Sequence, residues 1–298
     1  MDVGIFGFES KVGDLVEEIA TAAGQGFGSF WVPQIFGFDA LTALAIAGRE
    51  VPEIKLGTSV IPTYPRHPMM LAQQALTVSQ VIGPDRLQLG IGLSHKPVVE
   101  GMWGIPFDKP VRHMREYLEL LGPLLHAQTV SAAHETLTAR GQIDIPDAAA
   151  PQVLVAALGP QMLKVSGRLA DGTITWMTGA KTIGDLTSPT IREAAAGADR
   201  PTPQVVVGLP ICVTTEVDTA RERAAREYEI YGQLPSYRAM LDHEGLDGPA
   251  DLALIGDADS IRERLGEFEA AGMTTFAASA FGTDSERAAT REFLQTLL

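Results

Sequence analysis

Apolar residues fall into short unbroken runs, separated by longer stretches where they recur every three or four positions. The runs are "VGIFGF" (3–8), "SFWVP" (29–33), "IKLGTSVI" (54–61), "RLQLGIG" (86–92), "QVLVAAL" (152–158), "DGTITWM" (171–177), "QVVVGLPICVT" (204–214) and "TTFAASAF" (274–281). Continuous runs rich in Val and Ile suit parallel strands buried on both faces. The stretches between them predict helices. One covers 11–26 and stops at Gly24 and Gly26. Another starts near Pro68 and ends at Gly83. A third starts near Pro110, and a fourth is capped by Asp259 or Ser260 and ends on Gly272. Eight strands alternating with helices over 298 residues predict an α/β fold, a (β/α)8 TIM barrel. A doubly wound open sheet is the alternative. Residues 127–150 read as a small hairpin or loop and residues 228–253 as an extra helical excursion. Both are expected as insertions at the C-terminal face of the barrel, covering a pocket. No repeat, linker or low-complexity tract interrupts residues 1–298, which are expected to form one domain.

Composition narrows the function. With 45% hydrophobic and 20% charged residues the chain has the profile of a soluble globular protein. It has no run long enough for a membrane span and no N-terminal basic segment with a cleavage site, so a cytoplasmic location is expected. A net charge of −14 argues against nucleic acid and acidic membrane surfaces as partners. Cys212 is the single cysteine, which excludes an intramolecular disulfide and reads as a small buried hydrophobe. The six histidines lack ligand spacing, so no metal site is expected.

In a barrel of this kind the chemistry belongs at the C-terminal ends of the strands. The third run, "LGTSVIPTYPRHPMM", ends in Ser59-Val60-Ile61 and leaves through Pro62, Pro65 and Pro68, a stiff exit suited to a bulge. The fourth run passes Gly90 and Gly92, where something can approach the backbone closely, into Leu93-Ser94-His95-Lys96. No GxGxxG follows, so the dinucleotide fingerprint is missing. The fifth run leaves as "AALGPQMLKVSGR", whose Gly159-Pro160 opens a helix with free N–H groups suited to an anion. The sixth run ends at Trp176-Met177-Thr178, an aromatic and a thioether suited to a flat ring system.

These segments, with "LIGDADSIRERLGEFEAAGMTTF", occur in an order and spacing that resembles the bacterial luciferase-like superfamily. The resemblance covers nearly the whole chain and looks closest to the branch that uses the deazaflavin coenzyme F420. It implies a non-prolyl cis peptide at Ser59-Val60, in a bulge with Ile61 that backs the central ring of the cofactor. It implies that the cofactor phosphate lies on the backbone amides of Leu93, Ser94, Leu158 and Gly159, after Gly92. Ala156 and Ala157 would line the ribityl chain, and Trp176, Met177 and Thr178 the ring edge. Sugar-phosphate dehydrogenases of this family carry an Asp-His pair after the second strand and a Glu after the fourth. Here Gln34-Ile35 and His95 stand in those places, which argues against glucose-6-phosphate oxidation.

The reaction expected is hydride transfer between F420 and a small organic substrate stacked on the ring. His95 is the candidate proton donor or acceptor and Gln34 the candidate polar handle, beside an apolar wall of Trp31, Phe36, Trp103 and Trp176. Arg66 and His67 are expected to serve the helix start. Lys96, Lys109 and Arg112 favour the acidic tail of the deazaflavin. An FMN-dependent monooxygenase with a separate reductase is the alternative, and a non-catalytic cofactor-binding barrel is the third reading. A homodimer through the barrel helices is expected.

Overall fold

The computed structural model describes residues 1–298. In chain order the strands are β1 (Asp2–Phe6), β2 (Ser29–Val32), β3 (Lys55–Thr58), β4 (Ile61–Pro62), β5 (Leu87–Gly92), β6 (Val130–Ala133), β7 (Thr138–Gly141), β8 (Gln152–Val155), β9 (Gly172–Trp176), β10 (Gln204–Val213), β11 (Leu254–Gly256) and β12 (Thr275–Ala280). The helices are α1 (Val12–Gly24), α2 (Ala40–Glu50), α3 (Pro68–Ile82), α4 (Pro110–Leu125), α5 (Pro160–Leu169), α6 (Ala180–Thr182), α7 (Ser188–Ala196), α8 (Val217–Glu227), α9 (Glu229–Gln233), α10 (Pro235–Glu244), α11 (Ala258–Ala270) and α12 (Asp284–Gln295).

Parallel pairing runs from β1 through β2, β3, β5, β8, β9 and β10 to β12, with β4 continuing β3 along β5. The first and last strands then pair, Asp2 with Thr275 through Ile5 with Ala278, and close the ring. This is a (β/α)8 barrel, and closure removes the open-sheet alternative. All eight apolar runs became barrel strands because each is buried on both faces, inside against the other strands and outside against helices. β11 was not anticipated. Three residues are too few to carry a pattern, and they pair only with the C-terminal end of β10, at Ile211 to Val213. The hairpin predicted within 127–150 is the antiparallel pair β6–β7. The excursion over 228–253 contains α9, α10 and a short turn at Pro249–Asp251.

Helix starts follow local side-chain chemistry. Asp39 caps α2 by accepting from Thr42 N at 2.9 Å, and Thr283 caps α12 reciprocally with Glu286. The cap of α11 is Asp257, which accepts from Ser260 N at 2.8 Å. The expected Asp259 or Ser260 lies within the first turn instead. His67 caps α3 through Nδ1, as expected of a residue serving the helix start, and its Nε2 lies 2.9 Å from the Thr138 carbonyl of the hairpin. Arg66 pairs with Asp39 at 2.6 Å. At the opposite end of the barrel, the Arg86 guanidinium donates to the carbonyls of Gly48, Val51, Ile54 and Ile82. It satisfies C-terminal carbonyls of α2 and α3 that the helices leave unpaired.

The barrel interior is filled by Phe6, Trp31, Leu154, Ile174, Val206 and Ala277. Trp31 is fully buried, lies over Gly57, and donates its indole N–H to Ser29 Oγ at 3.0 Å. It is therefore core, and not part of a wall at the mouth. Above it, Thr58 Oγ1 donates to the Gly90 carbonyl at 2.8 Å, and the Ser59-Val60 peptide is cis, as the resemblance implied. Gly90 and Gly92 are required by this approach. A Cβ on Gly90 would run into the Thr58 carbonyl, and one on Gly92 would lie 2.6 Å from Val60 Cγ2 and 3.2 Å from Ala156 Cβ. The exit from the bulge is held from α4. Buried His113 stacks on Tyr64, with ring centroids 4.1 Å apart, and its Nε2 lies 3.1 Å from Thr63 Oγ1.

Two predictions follow from this packing. Gly90→Ala meets fixed backbone, whereas Gly92→Ala meets a valine methyl that can shift. Both should lower stability, Gly92→Ala by about 1–3 kcal/mol and Gly90→Ala by more, read from urea midpoints. Burial pushes His113 down from 6.5 to about 4, so the folded state binds fewer protons than the unfolded one between those values. Stability from the neutral imidazole is complete above pH 6.5 and is lost as pH falls toward 4. The loss is about 3 kcal/mol at 1.4 kcal/mol per pH unit. His113→Phe keeps a ring against Tyr64 and should remove that part of the slope; an unchanged slope would contradict the assignment.

Candidate active site

The strand ends build a shallow shelf at the C-terminal mouth. β3 and β4 contribute half-buried Ser59 and Val60 and buried Ile61, with Ser59 N bonded to the Val32 carbonyl at 2.8 Å. β5 contributes Gly92, and β8 leads to Ala156, whose N–H donates to the Ile91 carbonyl at 2.8 Å. Val60, Gly92 and Ala156 lie together, and none of the three side chains is larger than the isopropyl group of valine. After Gly92 the chain turns at Ser94, whose φ of 63° is left-handed, and half-buried His95 follows. Half-buried Leu158 and Gly159 lead into α5, with Gly159 at the cap position and Pro160 in the first turn. The first-turn N–H groups of such a helix have no intrahelical acceptor and suit an anion. Shelf and helix start are neighbours because β5 and β8 are paired.

Across the mouth stands an aromatic wall. Trp176 at the end of β9 packs on Phe6 (5.1 Å between centroids) and Phe8 (6.1 Å), from the end of β1 and the residues after it. The excursion after α8 completes the wall: Tyr228 and Tyr231 meet Trp176 edge-on, Tyr231 meets Tyr237 at 5.0 Å, and Tyr237 lies 5.9 Å from the His95 ring. The excursion is tied to the rim after β9, where Glu244 Oε1 accepts from Thr182 N at 2.6 Å. Between this wall and the end of β12 lies a cavity of about 400 Å³ lined by residues that include Phe8, Trp176, Tyr231 and Phe281. Burial holds His95 below its ordinary value, which keeps the imidazole neutral at pH 7. The Trp176 indole N–H is buried with no hydrogen-bond partner of normal geometry.

The structure brings together most of the residues singled out from the sequence, and redirects others. Ser59, Val60, Gly92, Leu93, Ser94, Ala156, Leu158, Gly159, Trp176 and His95 gather at the ends of adjacent strands. Ile61, Ala157, Met177 and Thr178 do not face the mouth. All four are buried, Ile61, Ala157 and Met177 in the apolar layer between barrel and helices. Thr178 is fully buried, its hydroxyl 3.3 Å from the Trp176 carbonyl. Gln34 is half-buried and its Oε1 accepts from Ala40 N at 2.7 Å, so its carbonyl serves the start of α2 and only its amino end is free. Phe36 is 62% exposed. The basic residues read as a grip for an acidic tail are already paired: Lys96 with Glu100 at 3.7 Å, and Lys109 and Arg112 with Glu135 of the hairpin. The tyrosines of the excursion were missed. Three of the chain's five tyrosines fall within 228–237, a concentration that marks an aromatic wall better than the isolated tryptophans do.

The barrel is shared with proteins already known. A family model described as luciferase-like monooxygenase matches residues 7–275. A putative coenzyme F420-dependent oxidoreductase of Mycobacterium tuberculosis is 25% identical, over 91% of this chain and 92% of its own. The structure of the coenzyme F420-dependent tetrahydromethanopterin reductase from Methanopyrus kandleri superposes with a TM-score of 0.83 at 22% identity, covering 99% of this chain and 97% of that one. The oxygenating constituent of 3,6-diketocamphane monooxygenase from Pseudomonas putida, in complex with FMN, superposes at 0.76 with 17% identity, covering 100% and 96%. With a family model spanning almost the whole barrel, the chain belongs to the luciferase-like monooxygenase family.

Proposed function

We propose that the protein is an F420-dependent oxidoreductase that transfers a hydride between the deazaflavin and a small organic substrate at the barrel mouth. The observation that carries this reading is the shelf of Val60, Gly92 and Ala156 beside the start of α5. A planar ring needs a floor without projecting side chains, and the phosphate on its side chain needs N–H donors at one edge. The residues present fit both needs. Val60 would underlie the ring and Ala156 its polyol chain, while the amides of Leu93, Ser94, Leu158 and Gly159 would hold the phosphate. When bound, the cofactor supplies or accepts the hydride. Trp176 and Phe8 keep water from the ring face. His95, neutral near pH 7, is suited to carry a proton at its ring nitrogen. Relatives named as F420-dependent, the mycobacterial oxidoreductase among them, support the deazaflavin.

One observation favours FMN as the second reading. F420 ends in an acidic oligoglutamate, and Lys96, Lys109 and Arg112 are all engaged by carboxylates. An FMN enzyme has no such tail to bind.

Titration with F420 and with FMN, following tryptophan fluorescence, separates the two. Trp31 is sealed inside the barrel and Trp103 lies after β5, outside the aromatic wall, so Trp176→Phe should remove most of the response. Micromolar quenching by F420 with much weaker quenching by FMN is expected; the reverse preference makes the protein an FMN enzyme, and no response to either ends both readings. Glu135→Gln frees Lys109 and Arg112, and should tighten F420 by about three- to fivefold, the scale of an exposed ion pair, while leaving FMN unchanged. An equal effect on both would place the acidic tail elsewhere.

A further inference from the structure

The cavity beside Trp176 deepens the proposed function by narrowing the substrate class, and it rests on that reading only for what happens to the bound molecule. Its walls are aromatic: Phe8, Trp176, Tyr228, Tyr231 and Phe281 line a space of about 400 Å³. Such a pocket fits a flat apolar body.

The charges around it are spent within the protein. Arg223 pairs with Glu286 at 2.9 Å, and Arg287 donates to the Gly282 carbonyl and to Asp284. The Glu286 carboxylate is held far down, to about 2, by the Thr283 backbone N–H foremost, so Arg223 keeps a charged partner throughout the neutral range. Glu227, the remaining lining charge, is an anion. Each lining cation therefore already has a carboxylate partner, and an anionic ligand would have to compete with that partner and face Glu227.

Two polar groups of the wall meet at Trp176. The buried Trp176 indole N–H has no partner of normal geometry, and the oxygen of Tyr231 is the acceptor beside it. An indole N–H only donates, so the Tyr231 oxygen can serve as acceptor toward Trp176 and keep its own proton for something else. Burial raises the Tyr231 pKa, which keeps that proton on the phenol at every ordinary pH. The ring itself is wedged between Trp176 at 6.1 Å and Tyr237 at 5.0 Å, so the hydroxyl is presented on a fixed support.

We propose that this cavity binds an uncharged, flat organic carbonyl compound, and that the Tyr231 hydroxyl donates the hydrogen bond that reads its carbonyl oxygen. A carbonyl is an acceptor that matches a fixed O–H donor set among aromatic rings, because it needs no second partner and carries no charge to neutralise. Tyr231 lies on α9, in an excursion that packs on the barrel mouth and takes no part in its strand pairing. On this reading the excursion sets substrate choice, while the shelf across the mouth sets the cofactor.

Calorimetric titration of the full chain with three probes of one shape tests this: 2-acetylnaphthalene, 2-ethylnaphthalene and 2-naphthoate. The ketone should bind tightest and the carboxylate weakest. Tyr231→Phe keeps the ring and removes only the hydroxyl. It should weaken the ketone by about fivefold, as expected for one neutral hydrogen bond, and leave the hydrocarbon unchanged. Ala280→Phe, which fills the cavity from the β12 side, should abolish binding of all three. Equal ketone affinity in the native chain and Tyr231→Phe overturns the inference. So does tightest binding of the carboxylate, no ketone binding at all, or ketone binding that survives Ala280→Phe. F420 and FMN titrations of Tyr231→Phe should match those of the native chain. If neither cofactor binds the native chain while the ketone effect persists, the oxidoreductase reading falls and the cavity assignment stands.

Discussion

A ring of parallel strands has no edge left to protect, but it encloses a space that side chains must fill. Every other feature of this protein depends on how that space is filled. Trp31 occupies part of it because Gly4 and Gly57 on the flanking strands leave room for an indole. Phe6, Leu154, Ile174 and Val206 close the rest of the interior. A solid barrel is what makes a shelf possible above it. The mouth has a floor instead of a shaft, and the floor stops at Val60, Gly92 and Ala156.

Two kinds of support then hold the mouth in shape. On one side the bulge lies against two glycines of β5 and its exit is pinned from α4 by His113, with the Tyr117 hydroxyl donating to the Arg66 carbonyl at 2.9 Å. These contacts are buried and largely uncharged, so salt leaves them intact and acid reaches them only by protonating His113. On the other side the aromatic wall rests on helices outside the barrel, tied down by the Glu244 carboxylate at Thr182 of α6. That division matches the proposed function. The surface proposed for the cofactor is built from strand ends and fixed by the barrel. The surface proposed for the substrate is built partly from an excursion that can change without disturbing strand pairing.

The ion pairs add a third element, which is largely external. Lys96, Lys109 and Arg112 stand near the shelf in sequence, and their carboxylate partners come from the segment after β5 and from the β6–β7 hairpin. Exposed pairs of this kind contribute little to stability. Their importance is in recognition, because they decide whether an acidic group arriving at that rim meets a free cation or must displace a glutamate.

The sequence by itself determined the barrel. Eight apolar runs, each long enough for a strand and too continuous for a one-faced sheet, leave parallel closure as the simplest way to bury them all, and the bulge, Gly92, Ala156 and the start of α5 were legible because they sit at the ends of those runs. The hairpin at 130–141 was legible too, as a break in the alternation. Tertiary structure alone decided which of these side chains face the mouth. Trp31 and Trp176 read alike in sequence, yet one fills the barrel core and the other stands in the wall. Ala156 and Ala157 are adjacent and identical, yet only the first reaches the shelf. A strand reverses faces at every residue, and where it crosses the rim depends on pairing register with its neighbours, which no local pattern records. The roles of Tyr231, Glu135 and Gln34 were hidden for the same reason. Each is set by a contact outside its own strand or helix, which the apolar pattern along the chain does not record.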